Sequence, residues 1–130
     1  MFNPPNNVFR NAYKDLYIAR KKDVQYDDYN NEIVIYDKPY YFGKVNYQPI
    51  NPKNLQMYIS EFGETQNNLV QCLIDYNKKD FMKEFDVAYL YGNTPKSEEV
   101  YGENANFEIK VFRPQNAKIL VILEEMIKEK

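Results

Sequence analysis

The side chains that most often carry out catalysis are scarce in this chain of 130 residues. It contains no histidine, which excludes histidine-based acid–base catalysis, the usual catalytic triads and most zinc sites. Its serines, Ser60 and Ser97, do not lie in a Gly-x-Ser-x-Gly turn, and its four glycines are too scattered to form a phosphate-binding loop. We therefore expect that the chain is not an enzyme and binds no cofactor.

The single cysteine, Cys72, has no partner for an intramolecular disulfide. It lies in a run in which apolar side chains alternate, so that Val70, Cys72 and Ile74 share one face of a strand. This phase predicts a buried thiol that acts as a small apolar side chain.

The one cluster of carboxylates lies in residues 23–32. Its spacing does not match a calcium-binding EF-hand loop, and no glycine occupies the position of the sharp turn. We interpret it as a solvated acidic turn and expect no metal site. The cluster consists of Asp23, Asp27, Asp28 and Glu32.

The composition indicates one globular domain. A hydrophobic fraction of 44% is enough for a core, and the length is that of a single domain. The net charge of -2 and the pI of about 5.2 argue against tight binding of nucleic acid, which requires a basic face. No apolar run reaches the ~20 residues of a membrane span. Residues 1–5 do not resemble a signal peptide, so we expect that the protein is made and used in a cytoplasm or leaves it by lysis.

Period-two alternation and β-branched residues predict a mostly-β fold. Residues 12–20 fit either a helical stripe or a strand, and residues 118–123 favour a strand over the start of a helix. The remaining predicted strands are 32–47, interrupted at Pro39, 69–76, 86–91 and 106–112, joined by a turn at 23–32, a long connection at 51–68 and a polar loop at 92–104. The expected fold is a small, partly closed β-barrel or sandwich of five to six antiparallel strands with long loops. It forms a single domain over residues 1–130, in which residues 1–11 are an extended N-terminal arm.

Aromatic residues are the best candidates for contacts with other molecules. The thirteen tyrosines fit either an interface or the half-buried positions of strands. The arm is either a disordered tail or a segment that docks on a neighbouring subunit, in which case Phe2 and Phe9 are its anchors. Tyr40 and Tyr41 are the corresponding interface candidates within the strands.

From Asp15 onward, the order of features resembles the head-closure (stopper) proteins of the head–tail connector of long-tailed bacteriophages. The resemblance spans most of the chain through short motifs, although the arm and the loop at 92–104 are longer than the family pattern. The matching segments are the early strand 16–20, the polar turn 27–31, a strand with Tyr36 and Pro39, segment 44–49, the Phe-Gly-Glu step at 62–64, the apolar–Asp–apolar strand 85–90, segment 104–109 and the apolar last strand with its charged tail.

This resemblance implies a structural subunit of a ring, usually a dodecamer, in the neck of the virion. The ring would lie beneath the portal and adaptor proteins, close the DNA-filled head and dock the tail proteins below. Double-stranded DNA would pass through or abut the channel without tight binding, and the protein would be made in the host cytoplasm. The resemblance also implies a channel-facing loop at residues 51–68, with Lys53, Asn54, Glu61, Glu64 and Gln66 as candidate lining.

Two other functions remain open. A tail-completion or tail-terminator subunit would share the small β architecture but contact the tail tube. A monomeric β-barrel binding module would carry a basic, aromatic-lined groove on one face.

Overall fold

A computed structural model describes residues 13–127 of the chain. The expected mostly-β fold is confirmed, with more strands than the five to six that the sequence pattern predicts. The elements in these residues are β1 (Lys14–Ala19), β2 (Lys21–Tyr26), β3 (Glu32–Tyr36), β4 (Tyr40–Val45), β5 (Gln48–Pro49), α1 (Pro52–Phe62), β6 (Leu69–Asp75), a 3-10 turn (Tyr76–Lys78), β7 (Val87–Tyr89), β8 (Phe107–Gln115) and β9 (Lys118–Glu125).

Seven of the strands form one antiparallel sheet in the order β4-β1-β7-β8-β9-β6-β5, which curls into a half-barrel. Only Asn46 and Tyr47 separate β4 from β5, so the chain passes directly from one end of the sheet to the other. β4 pairs with β1 and β5 pairs with β6, so the chain itself bridges the two edges of the curled sheet. Strands β2 and β3 form a separate two-stranded sheet, the β2–β3 hairpin.

The core has two main layers, and β9 lies between them. One face of β9 packs Ile119 and Val121 into the half-barrel, together with Cys72. The other face packs Leu120 and Ile122 against helix α1. Burial on both faces explains why the sequence of β9 is continuously apolar. The strand predicted at residues 118–123 is confirmed. The predicted burial of Cys72 is also confirmed, and burial raises the pKa of its thiol to about 12.

Helix α1 replaces most of the long connection predicted at residues 51–68, so that part of the prediction is wrong. Asn51 caps the helix by accepting a hydrogen bond from the Asn54 backbone N–H at 2.8 Å, and Pro52 occupies the first turn. The helix ends at Gly63, whose φ of 86° is a left-handed conformation suited to glycine. The Asn-Pro start and the apolar spacing of Leu55, Tyr58, Ile59 and Phe62 are helix signals in the sequence.

The turn predicted at residues 23–32 is shorter than expected, because residues 23–26 belong to β2 and only residues 27–31 connect it to β3. The ambiguous segment 12–20 contains a strand, β1, and no helix within its described part. Strand β8 extends beyond the predicted end at residue 112 to Gln115, and the chain reverses at Asn116, whose φ is 56°. Among residues 13–127, no helix combines the length and the apolar composition that a membrane span requires.

Candidate interaction surfaces

The predicted interface residues of the N-terminal arm, Phe2 and Phe9, lie outside the described residues. Tyr41 lies on β4, at one edge of the large sheet, and is 50% exposed. Its ring centroid is 5.2 Å from that of Tyr17, and its hydroxyl donates to Asp15 Oδ1 at 2.9 Å. That hydrogen bond, with a contribution from Lys44, lowers the pKa of Asp15 below its ordinary value.

Tyr40, the preceding residue, faces the opposite way and is half-buried. Within the described part of the chain, its shielded hydroxyl has no hydrogen-bond partner. Burial raises the pKa of Tyr40 to about 12. Only Tyr41 of this pair therefore presents its ring at the surface of the half-barrel.

Two of the candidate channel residues, Asn54 and Glu61, make contacts within the fold. Asn54 donates from its side chain to Gln71 Oε1 at 2.9 Å, which fastens the start of α1 to β6. Glu61 pairs with Arg113 of β8 near the other end of the helix. Lys53, Glu64 and Gln66 are exposed.

Glu124 of β9 holds the segment that follows α1. Its carboxylate accepts hydrogen bonds from Tyr58 at 2.8 Å, Thr65 at 2.7 Å and Asn67 at 3.1 Å. Although burial raises the pKa of Glu124, the hydrogen bonds from Thr65, Tyr58 and Asn67 outweigh it and lower the pKa below its ordinary value. No local pattern predicts this network, because its members are remote from Glu124 in the chain.

Asp86 is the most deeply buried carboxylate and ties the hairpin to the half-barrel. It is fully buried, and its Oδ2 lies 2.8 Å from Arg20 Nε in an ion pair. It also accepts hydrogen bonds from the backbone N–H of Lys21 at 2.8 Å and of Lys83 at 2.9 Å. The Asp86 carboxylate thus holds the first residue of β2 and the turn before β7 together.

Phe85, next to this anchor, is held in an unusual conformation. Its φ is 74°, in the left-handed region that a non-glycine residue seldom adopts, and its side chain is 44% exposed. Its backbone N–H donates to the Ile109 carbonyl at 2.7 Å. Lys21 Nζ lies 5.7 Å from the centre of the Phe85 ring. The strained backbone and the exposed ring make Phe85 a candidate for a functional role.

The Phe85 ring lines a cleft between the β2–β3 hairpin and the outer face of the half-barrel, which we name the hairpin cleft. It consists of two hollows of about 670 Å³ and 310 Å³ that share Lys21 and Phe85. Apolar walls come from Val24 and Phe112 in the first hollow and from Val34 and Tyr36 in the second. Such a cleft suits an aromatic or aliphatic side chain of another molecule.

The far end of the hairpin is a rigid turn that exposes aromatic rings. Asp27 Oδ1 accepts from the backbone N–H of Tyr29 at 2.9 Å and of Asn31 at 2.8 Å, which lowers the pKa of Asp27. Tyr29 is 86% exposed and Tyr26 is 63% exposed. We name residues 26–31 the hairpin tip.

The acidic cluster predicted as a solvated turn is divided by this geometry. Asp27 and Asp28 lie in the tip, Glu32 begins β3, and Asp23 lies near the other end of β2. Across residues 13–127, the structure brings together no group of three or more side chains suited to hold a metal ion. The carboxylates of the tip therefore shape the turn and its charge.

Comparisons of this chain with protein-family models, with curated proteins and with solved structures returned no match.

Proposed function

We propose that this protein is a non-catalytic structural subunit of a homo-oligomeric ring in the neck of a long-tailed phage. There it closes the DNA-filled head beneath the portal and adaptor proteins and docks the tail. The observation that carries this proposal is the projecting β2–β3 hairpin, whose rigid tip exposes Tyr26 and Tyr29. Preorganised exposed tyrosines are typical of protein–protein contacts.

The use of polar groups in the half-barrel favours a structural role. Asp86 joins the start of β2 to the turn before β7, and Glu124 joins α1 and the segment after it to β9. Glu99 accepts hydrogen bonds from Tyr89 at 3.1 Å and from the Asn104 backbone at 2.9 Å, which organises the polar loop after β7. The oxygens of these carboxylates accept hydrogen bonds from groups within the fold, as expected for a rigid structural subunit.

The charge of the chain is compatible with DNA that slides past it. A ring multiplies the net charge of -2 by the number of its subunits, and a mildly acidic lining repels phosphates. In this proposal the α1 segment faces the channel, with Lys53 at one end and Glu64 and Gln66 beyond the other. A dodecamer is the subunit number that the resemblance to head-closure proteins implies.

A stop codon early in the gene tests this function in the phage that carries it. We expect heads that package DNA and then lose it, so that empty tail-less heads and free tails accumulate. Supplying the intact gene on a plasmid is the control and should restore infectious particles. If the heads keep their DNA and only the tails are malformed, the tail-terminator function replaces the one proposed.

A monomeric binding module is the second candidate, favoured by the hairpin cleft with its exposed Phe85 ring. The first hollow carries both signs of charge, because it is lined by Lys21, Lys22 and Lys83 as well as by Asp23 and Glu84. Such a surface suits a peptide better than the phosphates of a nucleic acid, which favour a uniformly basic groove. A chain that remains monomeric and retains a peptide in the cleft would support this candidate.

A further inference from the structure

The hairpin tip is built as the inserting part of a contact. The hydrogen bonds of Asp27 fix the turn, and Asn30 adopts a φ of 65° to complete it. The tip therefore loses little conformational freedom when Tyr29 is buried by another molecule. Its two carboxylates, Asp27 and Asp28, give it a charge of -2.

The larger hollow of the hairpin cleft is built as the receiving part. Its floor contains the exposed Phe85 ring, and Val24 and Phe112 are half-buried beside it. Three lysines and two carboxylates line it, which gives it a charge of +1, opposite to that of the tip. The hollow is open to solvent and has a volume of about 670 Å³.

The cleft runs along the hairpin, but its Phe85 end lies beside Lys21, the first residue of β2, whereas Tyr29 lies beyond the last residue of that strand. The six residues of β2 span about 20 Å, so Tyr29 of one copy does not reach Phe85 of the same copy. A contact between them must join two copies through unlike surfaces. Contacts of this head-to-tail kind generate a ring when the rotation closes.

We propose that the hairpin tip of one copy docks in the hairpin cleft of the next copy, with Tyr29 packed against Phe85 and Asp28 facing Lys83. This inference rests on the proposed function, because it names the surfaces through which the ring assembles. Each copy then donates one tip and accepts another. The contact places the strained Phe85 ring where the neighbouring subunit covers it.

Complementary variants of the full chain test this contact by sedimentation velocity. Tyr29→Ala removes the tip ring, and Phe85→Gly removes the cleft ring while keeping a left-handed backbone free of strain. Each variant alone should require at least about tenfold more protein for half-maximal assembly, as expected for a central aromatic anchor. Mixed together, they should form a dimer of two copies, because one intact tip still meets one intact cleft. Tyr76→Ala is the control, since Tyr76 is 45% exposed and remote from the hairpin in the sequence.

A charge exchange provides a second test of the contact. Asp28→Lys and Lys83→Glu should each weaken assembly, and the double variant should restore it. If Tyr29→Ala and Phe85→Gly assemble like the wild type, the proposed contact is overturned. A mixture of the two variants that forms no dimer overturns it as well. Either result leaves the proposed function in place. A wild-type chain that stays monomeric at every concentration also overturns the contact, whereas the stop-codon phenotype decides the function independently.

Discussion

The half-barrel and the β2–β3 hairpin use their apolar side chains differently. In β9, the five residues from Ile119 to Leu123 are all buried, packed on both faces of the strand. In the hairpin every residue is at least partly exposed, and Ile33 and Tyr26 are 43% and 63% exposed. The half-barrel therefore supplies the free energy of folding, because burial of apolar surface is its main source. The hairpin leaves much of its apolar surface exposed, and an isolated two-stranded sheet adds little stability of its own.

The largest expected effect on the free energy of unfolding comes from a substitution in the core of the half-barrel. Phe107 is fully buried, and its ring centroid lies 5.7 Å from that of Tyr91. Phe107→Ala should lower the free energy of unfolding by about 3–5 kcal/mol, because it removes buried surface and leaves a cavity. Urea denaturation followed by circular dichroism measures this loss. A loss below about 1 kcal/mol would show that the half-barrel is not the stable part of the molecule.

The sequence predicted the half-barrel better than the hairpin, for a physical reason. Alternation in β6 located Cys72 correctly, because one buried face imposes a period of two on a strand. Strand β2, with the sequence Lys-Lys-Asp-Val-Gln-Tyr, was predicted partly as a turn because an exposed strand needs no apolar period. The strain at Phe85 and the ion pair between Arg20 and Asp86 depend on tertiary packing, which no local pattern records.

The anchor between the two regions should give the next largest effect. Asp86→Asn leaves the Arg20 charge without its partner, and it should lower the free energy of unfolding by about 2–3 kcal/mol. Hydrogen exchange should show that β2 loses protection before β9 does. Asp75→Asn is the matched control, because Asp75 forms an exposed ion pair with Lys118 and should cost less than about 1 kcal/mol. Equal losses in the two variants would show that Asp86 is not a special anchor.

A smaller effect should appear in the pH dependence of the half-barrel. The folded pKa of Glu124 is lowered, so its contribution to stability is present above the ordinary value of 4.5 and is lost as the pH falls through the folded pKa. Wild-type stability should therefore fall on acidification below pH 4.5. Glu124→Gln should be less stable at neutral pH and lose less on acidification. Parallel curves of unfolding free energy against pH for the two proteins would contradict this role of Glu124.

The smallest effect on stability should come from the hairpin tip. Tyr29→Ala should change the free energy of unfolding by no more than about 0.5 kcal/mol, because Tyr29 is 86% exposed and packs against little of its own chain. Differential scanning calorimetry should give nearly the same melting temperature as for the wild type. A large loss of unfolding free energy would mean that the tip contributes to the stability of the fold. The contrast between the half-barrel and the hairpin would then be wrong.

Native mass spectrometry of the wild-type chain, alone and with portal–adaptor complex, tests most directly whether this protein is a ring subunit. The expected result is a single closed assembly whose mass is a fixed multiple of 15.6 kDa, with a ring in negative-stain images. A chain that remains at 15.6 kDa under both conditions and across all concentrations would contradict the ring.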